Sequence, residues 1–164
     1  MDKYISIEAQ NVFVSRKEGE GIMQELKLEI PGSPIGQGRP KFSTINGHAV
    51  AYDPEKSRNY KAYVKMLAVQ AMKDNGFNMI EGPCCLDIMA FFEVPKSKSK
   101  KFKERALLGL ERPTKKPDLS NIVKGIEDAL NGLAYKDDSS IVYLCVTKYY
   151  SDVARVEVIL RDCN

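Results

Sequence analysis

The chain has 164 residues, of which 43% are hydrophobic and 29% are charged, and its formal net charge is +3. These values indicate one folded, soluble domain with a hydrophobic core, and no apolar run approaches the roughly 20 residues of a membrane-spanning helix. The N-terminus lacks the apolar core of a secretory signal, so we expect a cytoplasmic protein, and the single histidine, His48, argues against a catalytic triad or a histidine-based zinc site.

Alternating apolar residues predict strands, and apolar residues three and four positions apart predict helices. In the first half of the chain the predicted elements are a strand at residues 24–30, a flexible basic loop at 36–41, a short strand at 48–52 after an Asn46-Gly47 turn, and a helix that begins at Asp53-Pro54 and ends at Asn75-Gly76. The loop carries Arg39 and Lys41, which are candidates for phosphate contacts because a glycine-rich loop can approach a nucleic-acid backbone closely.

In the second half, the apolar periodicity predicts a densely apolar, central strand, two helices and a closing hairpin. The predicted elements are a strand at 84–94, a short helix in the lysine-rich segment before Pro113, a helix at 120–130 capped by Ser120 and ended by Asn131-Gly132, and two strands at 141–149 and 153–160 joined near Ser151-Asp152. The whole pattern predicts a single α+β domain with a mixed β-sheet packed against helices.

Residues 1–22 fit this pattern poorly, and the domain is expected to occupy residues 23–164. We hypothesise that Met23 is the natural start and that residues 1–22 are an upstream extension, since Lys17-Glu18-Gly19 could be encoded by a ribosome-binding sequence. The alternative is that residues 4–7 and 12–14 form a genuine extra strand of the domain.

Cysteines and lysines are the two residue types whose spacing bears on function. No Cys-x-x-Cys spacing indicates zinc, so free thiols are expected in a reducing cytoplasm at Cys84, Cys85, Cys145 and Cys163. Basic residues crowd the segment 96–116, which includes Lys115 and Lys116. Such a segment is either a solubilising loop or a surface that binds phosphates.

An acidic and polar constellation follows this basic segment. Asp118 lies just ahead of the helix at 120–130, whose polar face carries Asn121, Lys124 and Asp128 at three- and four-residue spacing; the loop after the helix carries Asp137 and Asp138. Carboxylates from two loops can bind one divalent cation, which activates water for attack on a phosphate, and Lys124 can contact that phosphate. The alternative is structural: Asp118 caps the helix, Asp137-Asp138 forms an ordinary turn, and Lys124 pairs with Asp128.

A longer motif spans these residues. It reads Lys-Pro-Asp-x-x-Asn-x-x-Lys from Lys116, then Asp-Ala-Leu-Asn-Gly from Asp128, then Lys-Asp-Asp from Lys136. Together with Gly38-Arg39-Pro40-Lys41, it resembles the signature of the RusA family of Holliday-junction resolvases, which are often encoded by prophages. The resemblance implies a homodimer that binds four-way DNA junctions and resolves them by paired nicks with Mg²⁺ or Mn²⁺, during DNA recombination and repair.

The resemblance also implies roles for individual residues. Asp118 and Asp138 match metal-binding catalytic carboxylates, with Asp137 as a further candidate ligand, and Lys124 matches the essential lysine of the family. Ser120 stands where the family has a second metal-binding aspartate, and a neutral hydroxyl is a weaker ligand than a carboxylate. The sequence therefore leaves three hypotheses open: an active nuclease, a catalytically silent junction-binding protein, and a small phage-type interaction protein without affinity for DNA.

Overall fold

A computed structural model describes residues 24–45 and 47–163. In chain order the elements are β1 (Glu25–Pro31), β2 (Lys41–Ile45), β3 (His48–Tyr52), α1 (Glu55–Asn75), β4 (Cys84–Glu93), α2 (Lys100–Leu107), α3 (Leu119–Leu130), β5 (Ile141–Ser151) and β6 (Arg155–Asp162), with one 3-10 turn at Asp138–Ser140. A mixed sheet packed against helices confirms the predicted α+β class. The extension proposed for residues 1–22 lies outside the described residues. Within them, no helix has both the length and the apolar character to cross a membrane.

The main sheet has the order β1-β6-β4-β5. β4 pairs with β5 in parallel and with β6 antiparallel, and β6 pairs antiparallel with β1. β4 is therefore interior, as its dense apolar content predicts. The predicted hairpin between the last two strands is wrong, because β5 and β6 lie on opposite sides of β4 and their short connection crosses the end of that strand.

A second, two-stranded sheet is formed by β2 and β3. Their antiparallel register runs from Lys41 opposite Tyr52 to Ile45 opposite His48, so part of the predicted flexible loop at 36–41 is in fact the beginning of a strand. Gly47, with a φ of 80°, has the left-handed conformation that a two-residue hairpin turn requires. This hairpin is largely exposed and carries Lys41 away from the core.

The core lies between one face of the main sheet and the helices α1 and α3. Alternate strand residues point into it, as the burial pattern of β4 shows at every second position. The most deeply buried members include Leu26, Ile30, Leu86, Ile88, Val156 and Leu160 from the strands, and Val64, Ala68, Ile122, Ile126 and Leu130 from the helices. Because α1 packs against both α3 and β1, the polar edges of the two helices are held next to each other.

The cysteines depart from the sequence prediction. Cys84 and Cys145 are free, as expected, but Cys85 of β4 and Cys163 after β6 form a disulfide with a Cα–Cα distance of 6.2 Å. The antiparallel register between the ends of β4 and β6 brings these two distant positions together, and four cysteine positions in a sequence do not reveal such a pairing.

Candidate active site

The N-terminus of α3 carries Asp118 and Ser120. Asp118 is the N-cap residue: its backbone is extended, and its carbonyl accepts a hydrogen bond of 3.1 Å from the N–H of Ile122. The prediction that Ser120 caps the helix is wrong, since Ser120 lies inside the first turn. Within the described part of the chain, the Asp118 carboxylate makes no capping hydrogen bond, so the structural interpretation of Asp118 is confirmed in the position of the residue but not in a contact of its side chain. This exposed carboxylate lies where the helix dipole stabilises negative charge.

The glycine loop (residues 36–38) packs directly on the beginning of α3. A Cβ atom added at Gly36 would lie 2.7 Å from the Cβ of Pro117 and 2.9 Å from the Cβ of Asn121. The N–H of Gln37 donates a hydrogen bond of 2.7 Å to the backbone oxygen of Asn121. The glycine is therefore needed for close packing, and the loop is fixed against the helix rather than flexible as predicted.

Exposed basic residues lie on two segments, one that follows the glycine loop and one that directly precedes α3 in sequence. Arg39 and Lys41 follow the glycine loop and are exposed, as are Lys115 and Lys116 immediately before Pro117. The backbone oxygen of Lys115 accepts a hydrogen bond of 2.8 Å from Lys148 Nζ on β5, which ties this basic segment to the main sheet. Exposed cations on anchored segments are suited to contacts with phosphates.

The turn after α3 carries Asp137 and Asp138, which have different environments. Asp137 accepts a hydrogen bond of 3.0 Å from the N–H of Ser139, and its hydrogen bonds with Ser139 hold the pKa of that carboxyl below its usual value. Asp137 is thus engaged in the local turn, while Asp138 is directed toward α3. The segment is anchored by the buried Tyr135, whose hydroxyl donates a hydrogen bond of 3.0 Å to the backbone oxygen of Glu127.

Lys124 connects the polar face of α3 to this turn. Its Nζ lies 3.0 Å from Asp128 Oδ1, the pair expected from i,i+4 spacing, and 3.7 Å from Asp138 Oδ2. The hydrogen bond with Asp128 raises the pKa of Lys124, so its ammonium remains charged at neutral pH. The structure therefore brings together Lys124, Asp128 and Asp138, and leaves the Lys124 side chain half exposed.

The same network continues into α1, which the sequence did not reveal. Asp128 Oδ2 lies 3.2 Å from Nζ of Lys61, and Lys61 also forms an ion pair with Asp53. Asp53 Oδ1 accepts a hydrogen bond of 2.7 Å from Nε2 of Gln37 in the glycine loop. Burial lowers the pKa of Lys61, but its hydrogen bonds with Asp53 and Asp128 outweigh that effect and raise it overall.

One sequence signal could have found Lys61. It lies four residues after Ser57 and three before Val64, two buried residues of the stripe by which α1 packs on the core. A lysine within such a stripe must direct its charge toward a partner, because an unpaired cation is costly to bury.

The sequence is similar to one family model and to two related proteins. The family model described as endodeoxyribonuclease RusA matches residues 31–161, a range that contains every candidate site residue. The chain belongs to the RusA family. It is 46% identical over 144 residues to the uncharacterized protein YqaN of Bacillus subtilis (strain 168), which covers 87% of this chain and 99% of YqaN. It is also 27% identical over 140 residues to crossover junction endodeoxyribonuclease rusA of Lactococcus phage r1t, which covers 84% of this chain and 97% of that protein.

Membership of the RusA family implies endodeoxyribonuclease activity on branched DNA, and nucleases of this family generally depend on divalent metal ions. The described residues offer few protein ligands for such an ion. Among the described residues, no three or more histidine, cysteine, aspartate or glutamate side chains are arranged as a metal cluster. Magnesium, however, is commonly bound by one or two carboxylates together with water and substrate phosphates, so it does not require a larger cluster of protein ligands.

Proposed function

We propose that this RusA-family protein is a Mg²⁺- or Mn²⁺-dependent endodeoxyribonuclease that resolves four-way DNA junctions by paired nicks during recombination and repair. The observation that carries the proposal is the position of the Lys124 ammonium on the polar face of α3, 3.0 Å from Asp128 and 3.7 Å from Asp138. The Lys124 ammonium can contact a phosphate, and the neighbouring Asp138 carboxylate can bind a metal ion. Both lie in a chain that belongs to a nuclease family.

In this proposal Asp118 and Asp138 hold the metal ion, and Asp137 has a secondary role because its carboxylate is engaged with Ser139. When bound, the ion supplies an activated water and offsets the negative charge that develops on the scissile phosphate. Lys124 contacts that phosphate through its charged ammonium, and its position on the polar face of α3 beside Asp128 supports this role.

DNA binding is assigned to the exposed basic residues of the two flanking segments together with Lys124. This surface consists of Arg39, Lys41, Lys115, Lys116 and Lys124. About five phosphate contacts predict that affinity for a junction falls on the order of 10²- to 10³-fold per protomer between about 50 and 200 mM salt. A fluorescence titration of a labelled four-way junction measures this slope, and no binding at low salt would favour a protein without DNA affinity.

A catalytically silent junction-binding protein is the second candidate, and Ser120 favours it. Ser120 is exposed in the first turn of α3, two residues after Asp118, where a carboxylate would add a negative charge to the site. Calorimetry with Mn²⁺ should show tighter binding by Ser120→Asp than by the wild type, because the added carboxylate is a stronger ligand. If the wild type binds junctions without nicking them and Ser120→Asp nicks them, the protein is a catalytically silent junction-binding protein.

The proposal includes a homodimer, because paired nicks require two active sites. In its support, β5 is an edge strand of the main sheet and begins with an exposed apolar run: Val142, Tyr143 and Leu144 are 64%, 53% and 43% exposed. Such edges are suited to pairing with another chain. Light scattering after gel filtration should show a dimer for the wild type and a monomer for Leu144→Lys, while Val153→Lys, at another exposed position, leaves the dimer intact. A wild-type monomer at concentrations that bind junctions contradicts the dimer.

A further inference from the structure

We propose that Lys61 and Asp128 are positioning residues that hold the Lys124 ammonium beside Asp138, and thereby set the rate of phosphodiester cleavage without contacting DNA. The expected effect on cleavage rests on the proposed nuclease function, but the contacts that position Lys124 do not depend on that function. Neither residue belongs to the metal-binding or DNA-binding set assigned above.

Asp128 divides its two carboxylate oxygens between two lysines. Oδ1 lies 3.0 Å from Nζ of Lys124, and Oδ2 lies 3.2 Å from Nζ of Lys61. The Asp128 side chain is only about a quarter exposed, at 26%. A carboxylate that is held from both sides has little freedom to rotate, so it presents one oxygen to Lys124 in a fixed direction.

Lys61 is itself fixed on its far side. Asp53 pairs with the Lys61 ammonium, and Gln37 donates a hydrogen bond of 2.7 Å to the other oxygen of Asp53. The backbone N–H of Gln37 in turn bonds to the backbone oxygen of Asn121 on α3. The contacts therefore form a closed path from α3 through α1 and the glycine loop and back to α3, which supports Asp128 from outside its own helix.

This support matters because the long side chain of Lys124 is half exposed. An isolated i,i+4 ion pair on an exposed helix face orders a lysine only weakly. The second cation has an electrostatic consequence as well: by sharing the charge of Asp128, Lys61 leaves more of the positive charge of Lys124 for a phosphate. Removal of Lys61 should leave the Asp128 carboxylate free to rotate, so that Lys124 is no longer held in one direction beside Asp138.

The first test needs no activity. In the metal-free full chain, the nitrogen-15 resonance of the Lys124 ammonium is assigned by its absence from Lys124→Met, and is then compared in Lys61→Met and Lys65→Met. Lys65 is an exposed lysine one turn further along α1 and provides the matched control. We expect the resonance to shift and to gain mobility in Lys61→Met alone; an unchanged resonance in that variant overturns the proposal.

The second test separates positioning from binding. Lys61→Met should lower kcat about 10- to 100-fold, the range expected when a reacting group is misplaced, while junction affinity and KM stay within about twofold. Lys61→Arg should recover part of the loss because it keeps a charge beside Asp128. Weaker junction binding by Lys61→Met with kcat retained would instead make Lys61 a phosphate contact and would overturn the proposal.

A double-mutant cycle tests whether Lys61 acts through Lys124. If it does, adding Lys61→Met to Lys124→Met produces no further loss of rate, whereas independent losses that multiply refute the coupling.

If the wild type nicks too slowly, the cycle is measured with Ser120→Asp in every protein. Should Lys61→Met fail to fold, Asp128→Asn takes its place in both tests. A wild type that never nicks rejects the proposed function alone, since the resonance comparison still decides the positioning.

Discussion

Substitution of Lys124 by methionine is expected to remove most of the catalysis while leaving the fold intact. Methionine keeps an unbranched apolar side chain of similar length but lacks the ammonium that lies 3.0 Å from Asp128 and 3.7 Å from Asp138. The Lys124 side chain is 51% exposed, so its interaction with a phosphate is partly screened by water. An effective dielectric constant of about 20–40 at about 4 Å gives roughly 2–4 kcal/mol of stabilisation.

This energy corresponds to a loss of kcat of roughly 30- to 1000-fold, and the midpoint is about 10²-fold. The assay is single-turnover cleavage of an end-labelled four-way junction with Mn²⁺, accompanied by a measurement of junction affinity. Lys73→Met, in the last turn of α1, is the control for loss of one exposed lysine and should cleave at the wild-type rate. A Lys124→Met protein that keeps kcat but binds junctions more weakly would refute the role of Lys124 in the transition state.

Further predictions concern packing and titration. Gly36→Ala should destabilise the protein by about 1–3 kcal/mol, because its new Cβ would lie within 3 Å of the Cβ atoms of Pro117 and Asn121, and thermal unfolding measures this. Gly125→Ala on α3 meets its neighbours at 3.8 Å and should be neutral or stabilising by up to about 1 kcal/mol; an equal loss in both variants contradicts the packing argument. Burial raises the pKa of Tyr60 to about 12, so the neutral hydroxyl contributes stability that is complete below the ordinary value of 10.0 and is lost as pH rises through about 12. Tyr60→Phe lacks this group, and its melting temperature relative to the wild type should increase across that pH interval; a constant difference contradicts the assignment.

The strands and helices that the sequence predicted correctly are those with a one-sided apolar pattern. The apolar stripe of α3 and the apolar alternation of β1 arise because one side of each element is buried against the core, so local periodicity predicts them. Local periodicity does not predict which strands pair. A short connection between β5 and β6 indicates a hairpin, yet β4 contributes hydrogen bonds to both strands and lies between them.

Of the two strands of the second sheet, β3 is predicted from the sequence, whereas β2 follows only from the turn that precedes β3. The Asn46-Gly47 pair predicts a turn, and a turn of this type implies strands of similar length on both sides. Because every residue of β2 whose side chain is described is exposed, this strand has no apolar alternation that would reveal it.

The candidate site shows the same division between local and distant contacts. Lys124 and Asp128 are four residues apart on one helix, so their pairing follows from spacing. Lys61 and Asp128 are 67 residues apart, and only the packing of α1 on α3 brings them together. Ser120 illustrates a different limit: a serine before an apolar stripe predicts a cap, but the preceding Asp118 occupies that position.

The most direct test of the proposed nuclease is the position of nicks in a four-way junction labelled on each strand, resolved on a denaturing gel. With Mn²⁺ at low salt, the wild type should produce nicks at symmetric positions in two opposite strands, and none without metal. Asp118→Asn and Asp138→Asn should bind the junction and leave it uncut. Nicking by either variant at the wild-type rate, or no nicking by both the wild type and Ser120→Asp, would contradict the metal-dependent mechanism.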